Sequence, residues 1–387
     1  MKKIRLGIDA SNIRAGGGVT HLGQLLSAAD PKAHGFEKIF VWSGRKTLDR
    51  LPDREWLEKI HLKILDKSLP LRFFWQQYML RRCLLRTGSS VLFSPGGTLP
   101  RHLDLPGITM SQNLLPFEPQ ESKRFGLLIN PMRLKMLLLR QSQGRSITNA
   151  DAVIFLTEYA RTKIFEELCI SSKRCTVIPH GIEKRFFYEP KSVLPPVDYS
   201  QLRPFKLLYV SIIDVYKHQW HVAEAVASMR SKGIPVEIEF IGPAYLPALK
   251  RFEKTLNRLD PGGNFLRYRG ALSFDSLHDA YRHADAFVFA SSCENLPNIL
   301  LEAMAAGLPI ACSSRGPMPE VLGEAGVYFD PECSDTIEDV LRALFEKQEL
   351  RQQIASKAFA TAHNFSWELC AKDTFSFIAE TVRVWSK

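Results

Sequence analysis

Two glutamates, Glu294 and Glu302, are the side chains of this 387-residue sequence whose placement most invites chemistry. They belong to the stretch FVFASSCENLPNILLEAMAAGLPIAC, residues 287–312. Phe287 to Ala290 reads as a buried strand bounded by Ser291, a helix is signalled from about Asn298, and Gly307 with Pro309 ends it. Glu294 then sits just past the C-terminal end of a strand and Glu302 one turn into a helix, both at the rim where open α/β sheets bind ligands. Carboxylates so placed can accept hydrogen bonds from a polyhydroxylated ligand.

Other groups suit the rest of such a ligand. A glycine-rich turn, Gly16-Gly17-Gly18, lies between a first strand and a first helix, where backbone N–H groups and a positive helix end can hold a phosphate. A plain flexible loop is the other reading of that run. Lys217, after a strand that ends near Ser211, adds a cation, and the helix start near Asn298 adds more amides. Donors and a cation without a metal suit a diphosphate. Glu302 can accept from a ribose diol, and Glu294 with the backbone of Asn295 and Leu296 can hold the hydroxyls of a sugar. No D-x-D pair occurs to bring Mg²⁺, so protein groups must neutralise the diphosphate, and neither cofactor nor metal is expected. His218 and His221 share a helix face, but two ligands without a third do not make a zinc site. Cys293, beside Glu294, has no partner histidine nearby and reads as a packing residue.

The elements that position these groups alternate strand and helix through the chain, which predicts doubly wound parallel sheets. Strands are expected at Lys3 to Ile8, Lys38 to Trp42, His61 to Leu65, Val91 to Ser94, Ile108 to Met110, Ala152 to Leu156 and Cys175 to Ile178, with a charged helix around Asp53 to Lys59. Prolines at 190, 195, 196 and 204 mark a linker. The alternation restarts at Lys206, and a last helix from Trp367 to Trp385 exceeds what the second sheet needs. The expected domains are 1–188, a linker 189–204, 205–365, and a terminal helix 366–387 crossing back to the first domain.

Composition bounds the function. The net charge is +10, yet residues 1–180 hold 28 Lys/Arg against 15 Asp/Glu, so the positive field belongs to the first half. Nucleic-acid binding would explain that charge but not the pattern around the glutamates. Leu69 to Arg86 and Phe125 to Arg145 combine leucines, aromatics and arginines, as an interfacial membrane segment does; core-facing helices with a solvated basic side are the alternative. No run of apolar residues is long enough to span a bilayer. Seven cysteines without a C-x-x-C pair read as reduced thiols, and a cytoplasmic protein is expected, peripheral on the inner face of the cell membrane.

Glu294 and Glu302 form an E-x7-E spacing. With Ser291, Pro297, Asn298 and the run Ala303-Met304-Ala305-x-Gly307-x-Pro309, the region resembles glycosyltransferase family 4 of the GT-B fold. Ala150-Asp151, Val177-Ile178-Pro179-His180-Gly181, Lys217, Phe240-Ile241-Gly242 and Phe365-Ser366-Trp367-Glu368 match in family order. The resemblance implies an α/β GT-B fold with two facing Rossmann-like domains and a retaining, metal-independent hexosyltransferase. It implies a UDP- or GDP-sugar donor and a glycan or lipid-linked acceptor in surface polysaccharide synthesis, such as lipopolysaccharide. Glu294, Lys217 and Asn113 would be catalytic. Gly17, Gly18, Ser291, Asn295, Leu296, Pro297, Asn298, Glu302 and Gly242 would bind the donor, and Gln112 and His180 would lie on the acceptor side. Two positions depart from the family: Ile212 stands where an arginine is common, and Gln112-Asn113 stands where His-Asp or His-Asn is common. A same-fold nucleotide-sugar epimerase and a non-catalytic nucleotide-sugar-binding partner are the competing readings.

Overall fold

The computed structural model describes residues 3–14, 16–126, 130–273 and 276–385. They form two compact units: Met1–Ser122 with Leu127–Gly181 and Ser366–Lys387, and Lys123–Gly126 with Ile182–Phe365. Of the stretches named above, residues 127–129 of the Phe125 to Arg145 segment and the last two positions of the terminal helix lie outside the described residues.

In the first unit the strands are β1 (Ile4–Asp9), β2 (Phe36–Ser43), β3 (Leu57–His61), β4 (Val91–Ser94), β5 (Gly107–Met110), β6 (Ala152–Phe155) and β7 (Cys175–Val177). They pair in parallel in the order β3-β2-β1-β4-β5-β6-β7. β4, β5 and β6 are short and wholly buried, as strands covered on both faces must be. In the second unit β8 (Phe205–Val210), β9 (Val236–Ile241), β10 (Leu266–Tyr268), β11 (Ala286–Phe289), β12 (Ile310–Ser313) and β13 (Val327–Phe329) pair in parallel in the order β10-β9-β8-β11-β12-β13. Each sheet reverses its strand order once, between β1 and β4 and between β8 and β11. Such reversal points are where doubly wound sheets open a crevice at the C-terminal strand ends.

Two local expectations are corrected. Asp53 to Lys59 is not a helix, and the strand expected at His61 to Leu65 is shifted: β3 occupies Leu57–His61 and Lys63–Asp66 is a 3₁₀ turn. The charges that look like a helix surface belong to a sheet edge, where Lys38 pairs with Glu58 across the strands and Lys59 with Asp53. Charged side chains on an edge strand discourage further pairing. A helix at Gln348–Ala362 was not anticipated.

The proline-rich stretch 189–204 lies in the second unit, where the buried Arg351 donates to the Leu194 carbonyl and Gln348 to that of Val193. The terminal helix Trp367–Trp385 lies in the first unit. There Phe375 meets Phe36 edge-on at 5.4 Å.

Candidate active site

The loop after β8 and the loop after β11 leave the second sheet side by side at its reversal point. Lys217 comes from the first and Glu294 from the second, both nearly buried, and the Lys217 Nζ bonds the Glu294 carboxylate directly. The ammonium also lies 5.1 Å from the Tyr216 ring centre and 5.2 Å from that of Phe289, a cation–π setting.

Several side chains stitch the two loops together. Tyr209, on β8, donates its hydroxyl to the Lys217 carbonyl and accepts from the Ala290 amide at 3.2 Å. Ser292 donates its amide to the Tyr216 carbonyl at 2.9 Å. The buried His218 Nε2 meets the Ser292 hydroxyl at 2.9 Å. His218 takes a left-handed φ of 51°, a conformation that costs a residue with a Cβ, and the bond to Ser292 accompanies it. Burial, reinforced by Arg124, pushes the His218 imidazole down to about 3, so the ring is neutral at physiological pH. Tyr209, Tyr216, His218 and Ser292 escape sequence reasoning because their roles arise from the contact of two loops far apart in the chain. The adjacency of His218 and Ser292 to Lys217 and Glu294 was the available signal.

Around this pair lie the other expected donor groups. Ser291 donates its hydroxyl to the Cys293 carbonyl at 3.2 Å. Asn295 and Leu296 are buried and precede Pro297, which caps the helix Asn298–Ala305. The first amides of that helix lie outside its own hydrogen-bond ladder. Gly242, just past β9, has φ 149° and passes so close to the loop after β8 that a Cβ would sit 2.0 Å from the Ser211 oxygen. Its amide donates to the Gly270 carbonyl at 2.8 Å, and its carbonyl accepts from Tyr268. Gly242 therefore shapes the loop and has its amide already engaged.

Glu302 has different neighbours. Its carboxyl accepts from the Tyr281 hydroxyl at 2.9 Å, near Glu183 and Arg185. Burial raises it to about 8, with Glu183 adding to the shift, so it is largely protonated at pH 7 and can donate as well as accept.

In the first unit the glycine-rich loop after β1 opens the helix Gly17–Ala28. A Cβ on Gly18 would lie 3.1 Å from the Gln112 side-chain oxygen, so these two expected site residues are neighbours. Gln112 bonds the Met110 sulfur, and the exposed Asn113 caps its own turn by accepting from the Leu115 amide at 3.2 Å. His180 is instead buried: its Nδ1 lies 2.8 Å from that of His21, and Trp367 packs against both rings. Burial pushes His180 down to about 4 and His21 well below the usual imidazole range.

Two Rossmann-like units with these strand orders define the GT-B fold. Sucrose-phosphate synthase from Thermosynechococcus elongatus superposes with a TM-score of 0.75 over 96 % of this chain and 97 % of that one, at 16 % identity. WaaG, a glycosyltransferase involved in lipopolysaccharide biosynthesis, superposes with a TM-score of 0.69 at 16 % identity, covering 97 % and 99 %. Anabaena HepE in complex with UDP-glucose gives 0.67 at 16 %, covering 98 % and 100 %. At such identities the likeness is one of fold.

Sequence adds the family signal: residues 198–361 match the model of glycosyl transferases group 1. The O-antigen chain mannosyltransferase B of Escherichia coli is 25 % identical over 244 residues, 62 % of this chain and 63 % of that protein. The D-inositol 3-phosphate glycosyltransferase of Paenarthrobacter aurescens is 23 % identical over 247 residues, 62 % and 60 % of the two chains. The matches thus span less than two thirds of either relative. Fold and family model together support a GT-B glycosyltransferase.

Proposed function

We propose that the chain transfers a hexose-type sugar, with retention of configuration, from a UDP- or GDP-linked donor to a glycan carried on a lipid, in surface polysaccharide synthesis. The observation that carries this reading is the buried Lys217–Glu294 pair at the reversal point of the second sheet. The E-x7-E resemblance, the O-antigen mannosyltransferase relative and the lipopolysaccharide and UDP-glucose connections of the structural neighbours support it.

In the first unit the amides of Gly17 and Gly18 can hold a phosphate; in the second, Lys217 turns to the donor diphosphate, joined by the first amides of the helix Asn298–Ala305. These groups neutralise the leaving diphosphate without a metal. Glu294, freed from Lys217, takes the sugar hydroxyls with Ser291 and the backbone from Asn295 to Pro297, while Glu302 takes the ribose. Gly242 holds the loop after β8 in place. The bond from the sugar's anomeric carbon to phosphate oxygen breaks as the acceptor oxygen bonds the same face of that carbon. The leaving phosphate takes the acceptor's proton, so no protein base is required. Gln112 and Asn113 flank the acceptor, and His180 supports the glycine-rich helix through His21. All seven cysteines are free thiols, which supports a reducing, cytoplasmic setting.

The test is transfer from a panel of UDP- and GDP-sugars to lipid-linked glycans, wild type against Glu294→Ala. Loss of a positioned contact at the reacting sugar should lower turnover by roughly 100-fold. Equal turnover, or sugar epimerisation without any acceptor, would overturn the reading.

A further inference from the structure

Two stretches are left unused by the active site, the helices Leu69–Tyr78 and Leu80–Thr87 and the helix Pro131–Asn149. They belong to the crossovers from β3 to β4 and from β5 to β6, which run in the same direction along the first sheet. Right-handed connections therefore place them on one face of that sheet. Leu99 lies against both, donating its amide to Ser146 at 2.9 Å and accepting from Gln77 at 3.4 Å.

The helix Leu69–Tyr78 is inverted relative to an ordinary amphipathic helix. Its buried side chains are Arg72, Trp75 and Gln76, while Leu71, Phe73, Phe74 and Tyr78 are exposed, Tyr78 by 69 %. The inward side is held by polar bonds: Arg72 donates to the Ser11 carbonyl at 2.8 Å, and Gln76 to the Asp9 carboxylate and the Thr98 carbonyl. Leu85, Leu134, Leu137 and Leu138 are exposed as well. These stretches hold ten of the sixteen exposed large hydrophobic side chains among the described residues, a concentration that marks an interaction surface. Leu137, Leu138 and Arg145 also line a groove of about 550 Å³.

Charge decides the occupant. Residues 69–87 and 131–149 contain eight arginines and lysines and no aspartate or glutamate. Arg72 is buried, Arg81 pairs with Asp104 and Arg140 with Glu167; Arg82, Arg86, Lys135 and Arg145 are exposed beside the apolar groups. Leucines and aromatics flanked by cations match the acyl boundary and the phosphates of an anionic lipid surface. No helix among the described residues is long and apolar enough to cross a membrane.

We infer that this face docks peripherally on an anionic phospholipid bilayer, with Phe73, Phe74, Tyr78 and Leu138 entering the headgroup boundary and Arg82, Arg86 and Lys135 meeting lipid phosphates. Docking here would bring the enzyme to the surface that carries a lipid-linked acceptor. It is read out by binding alone, so its failure and that of the transfer reaction are separable.

The experiment is flotation of the full chain with phosphatidylcholine vesicles, with and without phosphatidylglycerol. Binding should need phosphatidylglycerol and be lost in high salt. Each cation at an anionic surface strengthens binding roughly fivefold, so Arg82→Glu with Arg86→Glu and Lys135→Glu should weaken it by at least about 100-fold. Phe73→Ser with Phe74→Ser and Tyr78→Ser should weaken binding at low salt by at least about 100-fold, through the apolar area withdrawn from the bilayer. All six positions are exposed, and both variants should melt as the wild type does. Binding indifferent to phosphatidylglycerol, or unchanged in both variants, would overturn the proposal. So would a concentration-dependent dimer abolished by these substitutions, which would assign the face to a second copy of the chain.

Discussion

Lys217 and Glu294 each compensate the other's burial, so removing one leaves an uncompensated charge in a poorly hydrated place. Glu294→Leu or Lys217→Met alone should cost about 3–5 kcal/mol, whereas the double variant should recover most of the loss. Urea unfolding of the three variants measures this, and simple additivity would mean the pair is not coupled. Glu302 behaves differently with pH. Its folded value, about 8, lies above the ordinary 4.5, so the unfolded chain releases this proton first as pH rises. Stability from this group is full below about pH 4.5 and is lost as pH climbs through 8. Glu302→Gln should flatten that decline in a series of melts across this window. Both glutamates and Lys217 were legible in sequence because each follows a strand or opens a helix. Their partners were not: nothing local tells that Lys217 would bond Glu294 itself, or that Tyr281 would cover Glu302.

At the scale of elements, the site depends on two loops that hold each other. Gly242 sets how closely the end of β9 approaches the loop after β8, and a methyl group there would collide with the Ser211 carbonyl. Gly242→Ala should destabilise the second unit by at least ~3 kcal/mol and lower donor binding with it, since a backbone clash relaxes only by moving the loop. Unchanged urea midpoints would contradict this. The parallel strands were readable as short apolar runs, and so were most helices. β3 was misread because an edge strand carries charges where a buried strand cannot, and its alternation, Leu57-Glu58-Lys59-Ile60-His61, also fits a short helix. The stretch Leu69 to Arg86 was legible as an interfacial segment or a core-facing helix, but which side faces inward was not. Burial of Arg72 and Gln76 requires the polar ends of β1 and β4 to receive them.

For the whole molecule, both units carry pH liabilities. In the first, His21 and His180 are buried neutral below their ordinary value of 6.5, so acid favours the unfolded chain, and their contribution is lost as pH falls from 6.5 through about 4. In the second, burial of His218 acts in the same acid direction and Glu302 in the alkaline one. Calorimetry should therefore show melting fall on both sides, as pH drops below 6.5 and as it climbs through 8. His180→Asn should reduce the acid effect; an acid decline as steep in His180→Asn as in wild type would refute it. The uneven charge of the chain was visible in composition, but its meeting with an exposed apolar face on one side of one sheet required the topology.

In the proposed function, Lys217 and Glu294 form the donor-diphosphate and sugar site. The most direct test is calorimetric titration of UDP, GDP and their nucleosides into wild type and Lys217→Met. For the nucleotide that binds, affinity of the diphosphate should fall by about 100-fold in the variant, the worth of a charge-assisted contact, while the nucleoside's weak affinity stays the same. Diphosphate binding as tight in Lys217→Met as in wild type would contradict the account.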